Sequence, residues 1–99
     1  MGVLDGRVAI CTGSGRGVGA EVAKLMAKEG ASVIVNDPGV SGGGEGGERG
    51  PAETIANEIK AGGGKAAPNF GSVTSYEDCL GMVQQARDEF DDCHIVFNP

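Results

Sequence analysis

The sequence of 99 residues predicts an α/β fold, a doubly wound parallel sheet with the element order β-α-β-α-β-α-β. Three observations predict it. Short apolar runs alternate along the chain with segments of helical period. Glycine is abundant, at 19 residues, and clusters between the first apolar run and the helical segment after it. Parallel strands joined by right-handed crossovers then give the spatial strand order 3-2-1-4.

Length, composition and charge exclude several classes of protein. A chain of 99 residues forms one domain with a modest core, and we expect no second domain. The net charge of −6 argues against nucleic-acid binding, which needs clustered Lys and Arg. No apolar run reaches the roughly 18 residues of a membrane span, and no signal peptide is evident. Three cysteines without a Cys-x-x-Cys pair indicate reduced thiols, so we expect a cytoplasmic protein without a membrane partner.

The first part of the chain is predicted to form two buried strands around one helix. Residues Val8–Cys11 and 32–35 are continuous apolar runs, which are typical of strands covered on both faces. Between them, residues Gly17–Lys28 have helical period. The face that this helix is expected to bury consists of Val18, Val22, Leu25 and Met26.

A glycine-rich insert separates the second strand from the second helix. Residues 39–50 contain seven glycines in twelve positions and are predicted to form a surface loop. Pro51 opens the helix, because its missing N–H costs nothing at a first helical position. The helix is expected to bury Ala52, Ile55, Ala56 and Ile59. Residues 65–70 form a weak strand, which Pro68 confines to the edge of the sheet.

The last part of the chain is predicted to form one helix and one strand. Ser75 with Asp78 resembles a helix-start pair. The inner face of the helix is expected to consist of Leu80, Val83, the stem of Arg87, and Phe90. Residues 94–97 form the last strand, whose open edge and thinly covered faces predict association with another chain, a second copy included.

The glycine-rich turn after the first strand is predicted to bind phosphate. It consists of Thr12, Gly13, Ser14, Gly15, Arg16, Gly17, Val18 and Gly19. Glycines let the backbone bend tightly and approach a pyrophosphate, and the helix that follows offers unpaired N–H groups and its positive dipole end. The strand before the turn, the helix after it and an acidic residue downstream together predict a dinucleotide as the ligand.

The spacing of the glycines distinguishes between nucleotide-binding families. The Gly-x-Gly-x-x-Gly fingerprint is not matched, because Val18 stands where its third glycine should be. A P-loop is not matched either, because it needs a Gly-Lys-Ser/Thr segment and no lysine appears before Lys24. The pattern Thr-Gly-x-x-x-Gly-x-Gly fits, and with it the sequence resembles the short-chain dehydrogenase/reductase family. That resemblance implies a Rossmann-like fold and an NAD(P)-dependent oxidoreductase. The turn is also similar to the Gly-x-Gly-x-Gly motif of methyltransferases, but these usually carry an acid where this chain has Thr12, so the dehydrogenase is preferred.

Asp37, at the end of the second strand, predicts the choice of cofactor. A carboxylate there can accept two hydrogen bonds from the adenosine ribose, and it repels a 2′-phosphate. Arg16 argues the other way, because a guanidinium can pair with that phosphate. The charge conflict at Asp37 is direct, so we expect NAD over NADP. Asp37 before Pro38 is also compatible with an ordinary turn, and Arg16 with a solvated surface charge.

The resemblance covers essentially the whole chain. Ser72 and Val73 stand where the family usually has Asp-Val, whose side chain and backbone contact the adenine; a plain turn before the helix is the alternative. Asn98 matches the first asparagine of the family's Asn-Asn-Ala-Gly motif, which steadies the sheet and touches the cofactor's ribose. His94 replaces the family's aspartate ahead of that motif and is interpreted as a strand-entry residue.

A narrower resemblance concerns the substrate. The segment from Val35 to Asp37 with the glycine-rich insert is similar to the 3-hydroxyacyl-CoA dehydrogenase modules of multifunctional β-oxidation enzymes, which implies a 3-hydroxyacyl thioester. The family's catalytic Ser and Tyr-x-x-x-Lys are expected beyond residue 99, since the one tyrosine, Tyr76, is followed four residues later by Leu80. No catalytic or metal-ligating residue is therefore assigned. The chain is expected to be the N-terminal, cofactor-binding part of an oxidoreductase or, alternatively, a catalytically inactive nucleotide-binding or interaction module.

Overall fold

A computed structural model of the chain describes residues 2–15, 17–38 and 50–98. In these residues, parallel strands alternate with helices in the predicted order. The elements are β1 (Val8–Cys11), α1 (Gly17–Lys28), β2 (Ser32–Asn36), α2 (Pro51–Ala61), β3 (Lys65–Asn69), α3 (Tyr76–Phe90) and β4 (Ile95–Phe97). The strand order is β3-β2-β1-β4, so the predicted topology is confirmed. None of the described helices is long and apolar enough to cross a membrane.

The two continuous apolar runs form the central strands, as predicted. Every residue of β1 is buried, and in β2 only Ser32 is partly exposed. Ala9 is paired with Val33 on one side and with Ile95 on the other, so β1 is hydrogen-bonded along both edges. The edge position of β3 is confirmed, and Pro68 lies within it, where a missing N–H is tolerated.

Helix α1 packs onto the sheet mainly through its smallest side chains, and the predicted face is only partly right, since Val22 and Met26 are partly buried and Met26 packs against the core. Gly19, Ala20 and Ala23 are buried, whereas Val18 is 71% and Leu25 58% exposed. The small residues form a second stripe of helical period beside the predicted one. Because they let the helix approach the sheet more closely than branched side chains would, packing selects the small stripe.

The predicted face of α2 is confirmed, since Ala52, Ile55, Ala56 and Ile59 are all buried. Pro51 begins this helix, as predicted, and Gly50 precedes it as the N-cap. The buried residues pack with α1 on one face of the sheet, in a cluster that includes Cys11, Val33 and Val35.

The predicted face of α3 is mostly wrong. The residues that pack against Val8 and Ile10 on the other face of the sheet are Met82 and Ala86, with Phe90 partly buried. The side chains of Leu80, Val83 and Arg87 are exposed instead. Among the described helices, only α3 packs on this face, so its side chains that point away from the sheet stay exposed. The Ser75 cap is confirmed, because its side chain accepts a hydrogen bond from the N–H of Asp78.

Strand β4 is thinly covered, as its apolar sequence at the sheet edge predicts. Val96 is 62% exposed, while Ile95 and Phe97 are partly buried. Phe97 packs against the α1–α2 side of the core. The predicted association through this edge remains a prediction.

Candidate functional site

The predicted site residues meet at the carboxyl ends of the parallel strands. Thr12 directly follows β1, Asp37 follows β2 and Asn98 follows β4, while Ser72 lies three residues beyond β3. The strand order reverses between β1 and β4, because β2 and β3 lie on one side of β1 and β4 lies on the other, while all strands stay parallel. Ligands of open α/β sheets bind outside the strand ends at such a point.

Thr12 joins the glycine turn to the neighbouring strand. Its N–H donates to the carbonyl of Phe97 at 3.0 Å, and its Oγ1 donates to Asn98 Oδ1 at 2.7 Å. Thr12 is only 6% exposed, so water competes little for this bond. The contact spans the reversal point and holds Asn98 against the turn.

Ser14 is used inside the protein. Its N–H donates to the carbonyl of Asn36 at 2.8 Å, and its hydroxyl donates to the carbonyl of Cys11 at 2.6 Å. The side chain is fully buried. Ser14 therefore closes the turn onto the ends of β1 and β2, and its contact with a cofactor stays a prediction.

Two glycines give the turn a backbone that few other residues adopt. Gly13 has φ +61° and Gly17 φ +62°, in the left-handed region. The N–H of Gly13 bonds to no atom of the described residues. The first N–H groups of α1 have no partner within the helix either. The turn thus presents backbone donors at a helix N-terminus, an arrangement that suits a phosphate group.

The other two glycines are required by close approach. A Cβ on Gly19 would lie 2.5 Å from the carbonyl oxygen of Gly13, so a side chain there would push α1 away from the turn. A Cβ on Gly15 would lie 2.5 Å from Pro51 Cβ and 2.8 Å from Asp37 Oδ2. The sequence pattern singles out Gly19, whereas the need for Gly15 arises from contacts that only the folded chain makes.

Asp37 contacts the turn itself, which the sequence did not predict. Its Oδ2 accepts a hydrogen bond from the N–H of Gly15 at 3.2 Å, and its own N–H donates to the carbonyl of Asn69 at 3.0 Å. Asp37 is 7% exposed. A carboxylate is therefore fixed beside the glycine turn. Arg16, the residue predicted to favour a 2′-phosphate, lies outside the described residues.

The turn between β3 and α3 leaves the N–H of Val73 available. The N–H groups of Gly71, Ser72, Thr74 and Ser75 donate to acceptors within the protein, whereas that of Phe70 has none among the described residues. The N–H of Val73 has no acceptor among the described residues, and Val73 is 46% exposed. Ser72 Oγ is 2.7 Å from Thr74 Oγ1, so this hydroxyl is already engaged. Of the two predicted adenine contacts, the backbone of Val73 is the one available.

The described residues near the turn offer no catalytic pair. Burial raises the pKa of the Cys11 thiol to about 11, so the thiol stays protonated near neutral pH and is a poor nucleophile. Tyr76 is 77% exposed at the start of α3, and Leu80 stands where a lysine would be needed. The described part of the chain also has no group of three metal-ligating side chains.

One residue with a structural role beside the site was not predicted from the sequence. Asn36 is fully buried and bonds to the β3–α3 turn. The signal in the sequence was an asparagine inside an otherwise apolar strand.

His94 lies directly before β4 and bonds to the start of β1. Its Nδ1 accepts a hydrogen bond from the N–H of Val8 at 3.0 Å, and its backbone N–H donates to the carbonyl of Val8. His94 is thus a strand-entry residue, as interpreted, but with a defined acceptor role.

Comparisons with known proteins point to one family. The family model described as short chain dehydrogenase matches residues 7–99. The peroxisomal hydratase-dehydrogenase-epimerase of Neurospora crassa is 40% identical over 95 residues, which are 96% of this chain and 10% of that protein. The crystal structure of a short chain dehydrogenase from Mycobacterium avium has a TM-score of 0.90 and 39% identity, covering 100% of this chain and 34% of its own.

A third comparison includes a ligand. A 7α-hydroxysteroid dehydrogenase complexed with NADH and 7-oxo glycochenodeoxycholic acid has a TM-score of 0.81 and 31% identity, covering 94% of this chain and 33% of that one. The chain therefore spans about a third of the length of the solved structures and a tenth of the fungal relative.

Proposed function

The chain belongs to the short-chain dehydrogenase family, and on that premise we propose that it binds the adenosine diphosphate part of NAD for an oxidoreductase. The observation that carries the proposal is the contact between Asp37 Oδ2 and the N–H of Gly15 at 3.2 Å. It fixes a carboxylate at the edge of a phosphate-binding turn. A carboxylate there suits the diol of the adenosine ribose and conflicts with a 2′-phosphate.

Different described residues would contact different parts of the dinucleotide. The N–H of Gly13 and the N-terminus of α1 would hold the pyrophosphate. Asp37 would accept from the adenosine ribose, the N–H of Val73 would donate to the adenine, and Asn98, held by Thr12, would contact the ribose on the nicotinamide side. When bound, the nicotinamide supplies a site that exchanges hydride with a hydroxyl or carbonyl substrate.

The substrate and the wider context are proposed from relatives. A 3-hydroxyacyl thioester is favoured, because the fungal relative is named a hydratase-dehydrogenase-epimerase. Residues 1–99 would form the N-terminal part of an NAD-binding domain, with the chemical step relying on a Tyr-x-x-x-Lys pair that this sequence does not contain. The same relative is named peroxisomal, and a cytoplasmic location stays a prediction.

Calorimetric titration with NAD and NADP tests the proposal. The wild-type chain should bind NAD more tightly, because like charges facing each other cost affinity. Asp37→Asn keeps an oxygen for the N–H of Gly15 but removes the charge. It should improve NADP binding relative to NAD by about tenfold or more. Comparable dissociation constants for both cofactors in the wild type would contradict the proposed role of Asp37.

A further inference from the structure

The buried amide of Asn36 links the two places where the adenosine would be held. Asn36 directly precedes Asp37, and its Nδ2 donates to the carbonyl of Gly71 at 2.9 Å, directly before Ser72. The same Nδ2 donates to Asn69 Oδ1 at 2.9 Å. One amide group therefore fixes the spacing between the end of β2 and the β3–α3 turn.

The link continues into α3. Asn69 Oδ1 also accepts the N–H of Gly71 at 2.8 Å, and Asn69 Nδ2 donates to Gln85 Oε1 at 2.8 Å. Gln85 Nε2 in turn donates to the carbonyl of Pro68 at 3.0 Å. The turn is thus held on one side by the sheet, through the amides of Asn36 and Asn69, and on the other by α3, through Gln85 and through Asp78 Oδ2, which accepts the N–H of Ser72 at 2.8 Å.

The amide of Asn36 is kept at a cost. Asn36 is fully buried, and in the described part of the chain its Oδ1 has no hydrogen-bond donor. A flipped amide would point its oxygen at the acceptors of Asn69 and Gly71, so the orientation follows from the donors. An unpaired buried acceptor destabilises a fold, and an apolar side chain of similar size would avoid that cost. An apolar side chain, however, could not donate the hydrogen bonds to Asn69 and Gly71 that hold the turn.

We propose that Asn36 is a positioning residue that sets the place of the Val73 N–H, which has no acceptor in the described part of the chain, and thereby the selectivity of the site for adenine. The inference rests on the proposed function. Adenine N1 is a hydrogen-bond acceptor and suits this N–H, whereas hypoxanthine carries a hydrogen at N1 and presents donor to donor. Discrimination between the two bases therefore depends on where residues 71–73 are held.

The test compares NAD with nicotinamide hypoxanthine dinucleotide on the 99-residue chain. The wild type should prefer NAD by about tenfold or more, the worth of one hydrogen bond gained or lost. Asn36→Asp keeps the shape but offers at most one donor, the O–H of its protonated form, in place of the two N–H groups, and should bring the preference below about threefold. Asn57→Asp on α2 makes the same change of charge outside the network and should leave the preference unchanged.

The ratio of the two affinities separates positioning from a general loss of structure. Asn36→Asp that weakens both dinucleotides equally, with the preference kept, would overturn the inference. Should this variant fail to fold, Gln85→Leu removes the outer support of Asn69 from a half-buried position; an unchanged preference there would be equally decisive.

A ligand-free measurement distinguishes failure of this inference from failure of the proposed function. If the wild type binds neither dinucleotide, the proposed function is wrong. Hydrogen exchange of the unliganded chain still reports on Asn36, because the N–H of Gly71 donates to Asn69 Oδ1, which Asn36 holds, and the neighbouring N–H of Ser72 donates to Asp78 Oδ2 of α3. They should exchange faster in Asn36→Asp, while the N–H of Ser14 does not change. Equal exchange at Gly71 and Ser72 in both proteins would contradict the positioning role.

Discussion

Thr12 Oγ1 lies 2.7 Å from Asn98 Oδ1, so a single side-chain hydrogen bond joins the glycine turn after β1 to the end of β4. These residues are far apart in the chain and belong to the two motifs on which the family resemblance depends. The bond places both at the point where the strand order reverses. The glycine turn is therefore fixed at the carboxyl end of the sheet, by side-chain hydrogen bonds as well as by backbone ones.

Removing the Thr12 hydroxyl should weaken the attachment of β4. Thr12→Val has nearly the same shape but no donor, and should lower the free energy of unfolding by about 1 kcal/mol. Thr12→Ser keeps the hydroxyl and serves as the control. Urea denaturation followed by circular dichroism gives both values, and equal stability of Thr12→Val and wild type would show that the bond contributes nothing.

The close approach of α1 to the turn should make Gly19 intolerant of any side chain. In Gly19→Ala the new Cβ would lie 2.5 Å from the carbonyl oxygen of Gly13. We expect a loss of about 1–3 kcal/mol, the usual cost of overpacking, and weaker NAD binding.

Gly81 on α3 is the matched control for Gly19, because a Cβ there meets nothing within 4 Å. Gly81→Ala should stabilise the chain by about 0.5–1 kcal/mol through helix propensity alone. Thermal unfolding of both variants should move in opposite directions. If Gly19→Ala is as stable as wild type and binds NAD normally, the close contact between Gly19 and Gly13 does not restrict this position.

His94 should stabilise the fold mainly through Nδ1, the acceptor for the N–H of Val8, while its Nε2 lies 3.3 Å from Oδ2 of the exposed Asp92. His94→Ala leaves the N–H of Val8 without its partner at the start of β1 and should cost about 1 kcal/mol. His94→Asn can offer Oδ1 in place of Nδ1 and should retain most of the stability. Exchange of the Val8 N–H, followed by nuclear magnetic resonance, should accelerate in the alanine variant only; acceleration in both would argue against the acceptor role.

The buried thiol of Cys11 should make stability fall at alkaline pH. Burial raises the pKa of Cys11 from the ordinary 9.0 to about 11, so above about pH 9 the unfolded chain releases this proton while the folded chain keeps it. The free energy of unfolding should therefore fall as the pH rises from about 9 to about 11, by up to about 2.7 kcal/mol from this group.

Cys11→Ala isolates the contribution of this thiol from other groups that titrate in the same range. The difference in stability between wild type and variant should shrink steadily above about pH 9, when both are unfolded in urea across that range. Parallel pH profiles for the two proteins would mean that the thiol titrates in the folded chain as it does in the unfolded one.

The topology and the position of the site could be predicted because they depend on local patterns. Apolar runs such as Val8–Cys11 indicate buried strands, and the glycine spacing around Gly13 and Gly19 indicates a phosphate-binding turn. Both signals lie within a few consecutive residues. The proposed role of Asp37 in cofactor binding likewise follows from its position directly after an apolar strand.

The buried faces of the helices and the second layer of the site could not be predicted. In α1, Val18 and Ala20 lie on neighbouring stripes of the same period, and only the distance to the sheet selects the alanine. The bond between Asn36 and Gly71 joins residues 35 positions apart, and no spacing rule anticipates it. Polar side chains in apolar strands are the signal that such contacts leave in a sequence.

Hydrogen exchange of the 99-residue chain with saturating NAD tests the central claim most directly. The account predicts protection of the N–H groups of Gly13 and of residues 17–20, together with that of Val73. Residues 62–64, at the far end of α2, should exchange as they do without ligand. Protection that spares the glycine turn, or no change anywhere at saturating NAD, would contradict the assignment of this turn as the dinucleotide site.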